Sequence, residues 1–107
     1  MVVRFEDEEL ALLYNTGKSR KYKTITRDPR LLEAYLKIIR IFAQEENTSR
    51  LSNYSFLHYE KLKHQLSGKS SVRLLNGHVE RLIFTEENDG IVVNLIEINE
   101  KHYGNKK

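Results

Sequence analysis

The sequence predicts an α+β fold in which a short N-terminal strand and two helices pack on a four-stranded antiparallel meander, within one domain spanning residues 1–107. Three observations predict it. Apolar residues recur at helical spacing up to about residue 44, and from Leu57 onward their period changes to two. Asp28-Pro29 is a strong helix start: the aspartate caps free amides, and proline suits the first helical position, where its missing N–H costs nothing. Turn signals at Gly68, Asn76-Gly77 and Asn88-Asp89-Gly90 divide the second half into four short runs, and such brief connections favour antiparallel neighbours.

Taken in order, residues 2–5 form a short β-branched and aromatic run suited to an edge strand. Residues 6–15 carry acids in the first turn, where the helix dipole favours them, and Leu10, Leu13 and Tyr14 at helical spacing before Gly17, a natural stop. Residues 18–27 are basic and polar without periodicity, and read as an exposed connector. From Asp28 to about Gln44, Leu32, Tyr35, Leu36, Ile39, Phe42 and Ala43 hold one stripe. Leu31, Ile38 and Ile41 widen it, so burial on more than one side is expected, by the sheet or by a partner chain. Residues 45–55 are polar. Strands are expected at 57–63, 70–75, 79–85 and 91–99, the last apolar on both faces and the candidate for a central strand.

Composition narrows the function. At 39% hydrophobic and 31% charged residues, the chain lies above disordered composition but promises only a thin core. The balance of 18 Lys+Arg against 15 Asp+Glu gives +3, too mild to indicate nucleic acid by itself. Its distribution is more informative, because no acid falls between Glu9 and Asp28 or between Glu60 and Glu80, and both intervals are rich in Lys and Arg. If those segments meet in space they form a positive surface; otherwise they are solvated charge. The absence of cysteine excludes disulfide and thiol chemistry. No apolar run approaches the length of a membrane span and the N-terminus turns acidic too early for a signal peptide, so a cytoplasmic protein without membrane contact is expected. His58 and His64 lack a spacing suited to zinc.

The order of elements, together with Leu62-Lys63, Gly68, Ser71-Val72-Arg73, Arg81-Leu-Ile-Phe, Asp89-Gly90 and a terminal Ile-Glu-Ile-Asn-Glu-Lys-His, resembles the RelE/ParE toxin superfamily of bacterial type II toxin-antitoxin modules, and within it the HigB-like branch. The likeness covers nearly the whole chain in layout, with its residue matches concentrated after Tyr59. It implies a RelE-like fold and a small ribosome-dependent endoribonuclease that cuts mRNA in the ribosomal A site. It also implies neutralisation by a cognate HigA-like helix-turn-helix antitoxin. In such nucleases the 2′-hydroxyl attacks the adjacent phosphate, leaving a cyclic phosphate or 3′-phosphate and a 5′-hydroxyl, with no metal or other cofactor.

That chemistry needs a base near the 2′-hydroxyl, cations around the phosphorane-like charge and an acid for the leaving oxygen. The resemblance assigns Arg73 and Arg81 to the scissile phosphate, a task suited to permanently charged, bidentate guanidinium groups. His102, aligned with the terminal histidine of HigB-like toxins, is the acid-base candidate, since imidazole titrates near neutrality. Where those toxins end Asp-Tyr-His, this chain has Glu100-Lys101-His102, which keeps the carboxylate and replaces the aromatic. Tyr103 follows, either stacking on a base or simply packing. A second histidine of some members aligns with Glu60, and His58, two residues earlier, is expected on the same face; either of them, or neither, is the second acid-base group. Lys61 and Lys63 share the other face, suited to RNA contact or to plain solvation. The connector around residues 18–23 either touches ribosomal RNA through phosphates or is a surface loop.

Strand register decides whether the two arginines cooperate. A two-residue turn at Asn76-Gly77 puts them on opposite faces, whereas a three-residue loop 75–77 with Gly77 as a bulge puts them diagonally on one face. The active-site reading requires the second, which is the expectation here. Alanine at Arg73, Arg81 or His102 is then expected to remove activity and leave the fold intact. Two other readings carry the same fold: a ParE-like gyrase poison without nuclease chemistry, and a catalytically decayed antitoxin-binding module.

Overall fold

The computed structural model describes residues 1–63 and 67–100. Strand β1 (Val2–Phe5) leads into helix α1 (Glu8–Thr16), a short helix α2 (Lys23–Arg27) and the long helix α3 (Pro29–Gln44). Two 3₁₀ turns follow, Thr48–Asn53 and Ser55–Leu57, and then strands β2 (Glu60–Lys61), β3 (Ser70–Arg73), β4 (Arg81–Glu87) and β5 (Val92–Asn99). The five strands form one sheet in the order β1-β5-β4-β3-β2. The expected meander is present, and β1 joins it parallel to β5, so the sheet is mixed.

Local chemistry accounts for the helix boundaries. The Asp7 carboxylate accepts from the Glu9 amide at 2.9 Å, and Gly17 ends α1 at a φ of 74°, a left-handed turn that suits glycine. Asp28 accepts from the Arg30 amide at 3.0 Å with Pro29 just inside, as the dipeptide predicts. One face of α3 buries Leu31, Tyr35, Ile38, Ile39, Ile41 and Phe42. Leu31, Ile38 and Ile41, expected only to widen the stripe, are in this chain's own core, whereas Leu32 and Leu36 of the stripe are partly buried and Ala43 is exposed. Phe42 meets Phe84 of β4 edge to face, ring centroids 5.2 Å apart, and the Tyr35 hydroxyl donates 2.7 Å to the Leu10 carbonyl, tying α3 to α1.

Four expectations are corrected. The connector 18–27 is not wholly exposed: Tyr22 and Ile25 are buried, and the five residues of α2 fold over them. The strand expected at 57–63 shrinks to Glu60–Lys61, because Leu57 closes a 3₁₀ turn with its side chain in the core and His58 takes a left-handed φ of 48°. β4 begins at Arg81, two residues later than expected, since the loop before it is longer than its Asn-Gly signal implies. β5 is interior, with β1 and β4 as neighbours, but β4 holds the centre.

The helices cover one face of the sheet, meeting Val72, Leu82, Phe84, Val93, Leu95 and Ile98. Alternation sends Ser71, Arg73, Arg81, Ile83, Glu97 and Asn99 to the other face. An irregularity between Ile83 and Phe84 sets one extra β5 residue, Ile96, opposite them, so β5 keeps Ile98 and Leu95 both in the core despite their odd spacing. Ile83 is completely buried yet stands outside the main core, under the polar side chains of that second face.

Candidate active site

Arg73 and Arg81 face each other directly across β3 and β4. The Leu74 amide donates to the Glu80 carbonyl at 3.1 Å, which makes the arginine pair the closer, non-hydrogen-bonded kind, with Cα atoms about 4.5 Å apart. The loop between them runs from residue 75 to 79. The expectation of a shared face is met, while the three-residue bulged loop and the diagonal offset are not; a five-residue loop preserves the same parity. Like charges directly opposite one another disfavour a sheet, so the register costs stability unless other groups offset it.

Those groups surround Arg81. Its Nε and Nη2 donate to Ser71 Oγ at 3.0 and 2.9 Å, and Nη2 also donates to Glu60 Oε2 at 2.9 Å and to the His58 carbonyl at 3.2 Å. The arginine is only 9% exposed. It therefore fastens β2 and the turn before it to β3 and β4. Arg73 is half-buried, and its Nε is buried without a hydrogen-bond partner among the described residues. Asn99 pairs with Arg81 across β4 and β5, so the chain leaves β5 beside the arginines and continues into Glu100. The Glu100 carboxyl is pushed above its ordinary value by partial burial and by the nearby Glu80.

Other predicted residues distribute less neatly. His58 contributes its backbone carbonyl, and its left-handed φ breaks the alternation that put its side chain beside that of Glu60. Lys61 is exposed and reaches Glu86 at 3.7 Å on the helix side of the sheet. Lys63 is exposed beyond the end of β2. Lys101, His102 and Tyr103 lie outside the described residues, as does His64. Of the two basic segments, Lys21 pairs with Asp7 at 2.7 Å and lines a cavity with Glu97, Asn99 and Glu100 at the end of β5, whereas Lys61 sits on the β2 edge. The sequence signals Ser71 only through its parity with Arg73 on the same strand. Nothing in a sequence announces a carbonyl such as that of His58.

A cavity of about 560 Å³ opens elsewhere, between α3, Phe56 and Leu74, Leu75 and Asn76, lined by Arg30, Glu33 and Lys37 beside apolar side chains. Among the described residues no group of three His, Cys, Asp or Glu is arranged to hold a metal ion. No helix among them is long and apolar enough to cross a membrane.

No family model and no curated protein matches the chain in sequence. Solved structures do match in fold. A YoeB/ParE toxin from Agrobacterium tumefaciens superposes with a TM-score of 0.54 at 16% identity, over 94% of this chain and 99% of that one. A YoeB–YefM complex and a YoeB dimer, both from Staphylococcus aureus, each give a TM-score of 0.50 at 17% identity, over 96% of this chain and 98% of theirs. The chain thus shares the fold of these YoeB and YoeB/ParE toxin structures.

Proposed function

We propose that this chain is the toxin of a type II toxin-antitoxin module and acts as a ribosome-dependent endoribonuclease on mRNA. The observation that carries the reading is the direct Arg73–Arg81 pair on the sheet face opposite the helices. Two cations held against each other at a cost to the sheet form a cradle for a group with dispersed negative charge, as on a phosphorane. Glu60, whose carboxylate is 2.9 Å from Arg81, is suited to take the 2′-hydroxyl proton. Attack on the phosphorus then forms the cyclic phosphate as the P–O5′ bond breaks, and His102, with Glu100 upstream of it, supplies the proton to the leaving 5′-oxygen. Lys61, Lys63, Lys101 and Tyr103 hold the RNA strand by charge and stacking.

The partner in the cell is a cognate antitoxin, of the HigA-like helix-turn-helix kind that the sequence resemblance implies. The YefM-bound YoeB structure supports a partnered toxin of this fold. The site operates without a metal or cofactor, and the protein works in the cytoplasm.

The test is a cell-free translation reaction with antitoxin-free protein, mapping mRNA 5′ ends by primer extension with and without ribosomes. Cuts inside the A-site codon that vanish without ribosomes are the expected result. Growth arrest with intact mRNA would instead favour the gyrase-poison reading, and binding to an antitoxin with neither effect would favour a decayed module.

A further inference from the structure

Among the described residues, the acceptors of Arg81 are of two kinds. Ser71 Oγ is completely buried and the His58 carbonyl belongs to the backbone, so neither is readily exchanged. The Glu60 carboxylate differs. It accepts from Nη2 at 2.9 Å, yet the Glu60 side chain is 55% exposed while that of Arg81 is 11% exposed. Opposite this pair stands Arg73, with a buried Nε that has no hydrogen-bond partner among the described residues. A buried cation is thus held by a buried hydroxyl and also paired with a more exposed anion on a two-residue strand.

We propose that Glu60 is a built-in stand-in for phosphate: its carboxylate occupies the place on Arg81 that an incoming phosphate group takes, and a phosphate seated between Arg73 and Arg81 displaces it. Carboxylate and phosphate both offer the planar guanidinium anionic oxygens that accept charge-assisted hydrogen bonds. Arginine keeps its charge throughout, so the exchange is one anion for another with no proton released. A phosphate engages both arginines, whereas Glu60 bonds only one of them. Before exchange, Glu60 offsets the like-charge pair and steadies the empty site. After exchange its carboxylate remains close, because Glu60 stays paired with Ser71 in the sheet, and is no longer occupied by Arg81. Binding of the phosphate is in this way the event that frees the base.

The identity of that phosphate as one in mRNA rests on the proposed function; the exchange itself needs no ribosome. It is tested by titrating the ¹⁵N-labelled protein with inorganic phosphate at constant ionic strength, following the Arg81 Nε–Hε resonance and the amides of residues 60, 71, 73 and 81. Glu60→Gln is expected to bind phosphate about three- to fivefold more tightly, the ratio that loss of a partly exposed ion pair allows, and Arg73→Ala at least about fivefold more weakly than the parent. Glu60→Asp, which shortens the reach to Arg81, should fall between parent and Gln and provides the answer if Gln perturbs folding. Phosphate binding that is unchanged or weaker in both Glu60 variants overturns the exchange, as does saturation without movement of the Arg81 resonance. Exchange as expected with no mRNA cleavage would sink the nuclease reading alone. Ribosome-dependent cleavage with phosphate binding indifferent to Glu60 would sink the exchange alone.

Discussion

The two arginines look interchangeable as letters and are not interchangeable in place. Arg81 is buried and donates to Ser71, Glu60 and the His58 carbonyl, so Arg81→Ala strands a buried hydroxyl and loosens β2. A loss of about 1–3 kcal/mol follows from leaving such groups unsatisfied, or roughly 4–8 °C in Tm per kcal/mol for a chain of this size. Arg73 has no such ties among the described residues. Arg73→Ala should therefore keep its Tm within a few degrees while cleavage falls by about 10²-fold or more, the usual effect of removing one donor from a developing anion. Thermal melts beside the primer-extension assay separate the two, and equal Tm losses in both variants would refute the distinction. The sequence alone expects both alanine variants to leave the fold intact, and for Arg81 the contacts add a stability cost that the sequence does not show. The reason is burial: a strand arginine announces its charge in the sequence but not the Ser71 hydroxyl behind it. The common face of the arginines was legible only conditionally, because parity depends on a loop length that Asn76-Gly77 does not fix, and five residues give the same parity as three.

At the level of elements, legibility followed length. The Asp28-Pro29 start and the sixteen residues of α3 were read almost to the residue, since several turns of consistent stripe outweigh local noise. The five residues of α2 complete little more than one turn, too few to show a period, and their two buried side chains, Tyr22 and Ile25, passed for scattered apolar residues in a basic loop. Residues 57–63 misled in the opposite direction: Leu57 and Tyr59 alternate like a strand, but Leu57 is buried from a 3₁₀ turn. The turn 88–90 was legible, and its tightness has a consequence. Asn88, Asp89 and Gly90 all have positive φ, 54°, 55° and 85°, and a Cβ on Gly90 would lie 2.2 Å from Thr48 Oγ1 and 3.0 Å from the Thr48 amide nitrogen. That amide donates to the Gly90 carbonyl, so neither side can retreat without breaking the contact between the first 3₁₀ turn and the sheet. Gly90→Ala should cost about 2 kcal/mol or more, combining backbone strain with overpacking. Gly77→Ala shares a φ of 85° but meets nothing within 4 Å, and should cost only about 1–2 kcal/mol of left-handed strain. Chemical denaturation of the two variants checks the ordering, which fails if Gly77→Ala is the more damaging.

Across the whole molecule, two tyrosine–carboxylate pairs join elements that the sequence keeps apart. The Tyr22 hydroxyl donates to Asp7 over a separation of 15 residues, and the Tyr59 hydroxyl to Glu86 over 27. No periodicity signals such pairs. Burial alone would raise both carboxyls, but it is outweighed at Asp7 by hydrogen bonds from Lys21, the Glu9 amide and Tyr22, and at Glu86 by those from Tyr59, Ser70 and Thr48. Both are therefore held below their ordinary values of 3.8 and 4.5. A carboxyl depressed in the folded state contributes stability that is present above its unfolded value and lost as pH falls through the folded one. The tyrosines run the other way: burial, reinforced by the carboxylate partner, pushes both Tyr22 and Tyr59 from 10.0 up to about 12. Their contribution is complete below 10.0 and disappears as pH climbs toward about 12, because the unfolded phenol ionises first. Glu100, raised by burial and by Glu80, opposes the acid limb slightly, its strain easing on protonation. The same pairs thus bound stability on both sides, and Tm should be level from about pH 5 to about pH 9.5 and fall beyond each end. Glu86→Gln should lower the plateau, since Thr48, Tyr59 and Ser70 all donate to that carboxylate, and should flatten the acid limb by removing the group that titrates. A series of melts from pH 2.5 to 11.5 reads both effects, and an acid limb as steep in Glu86→Gln as in the parent would show that other carboxylates govern acid unfolding.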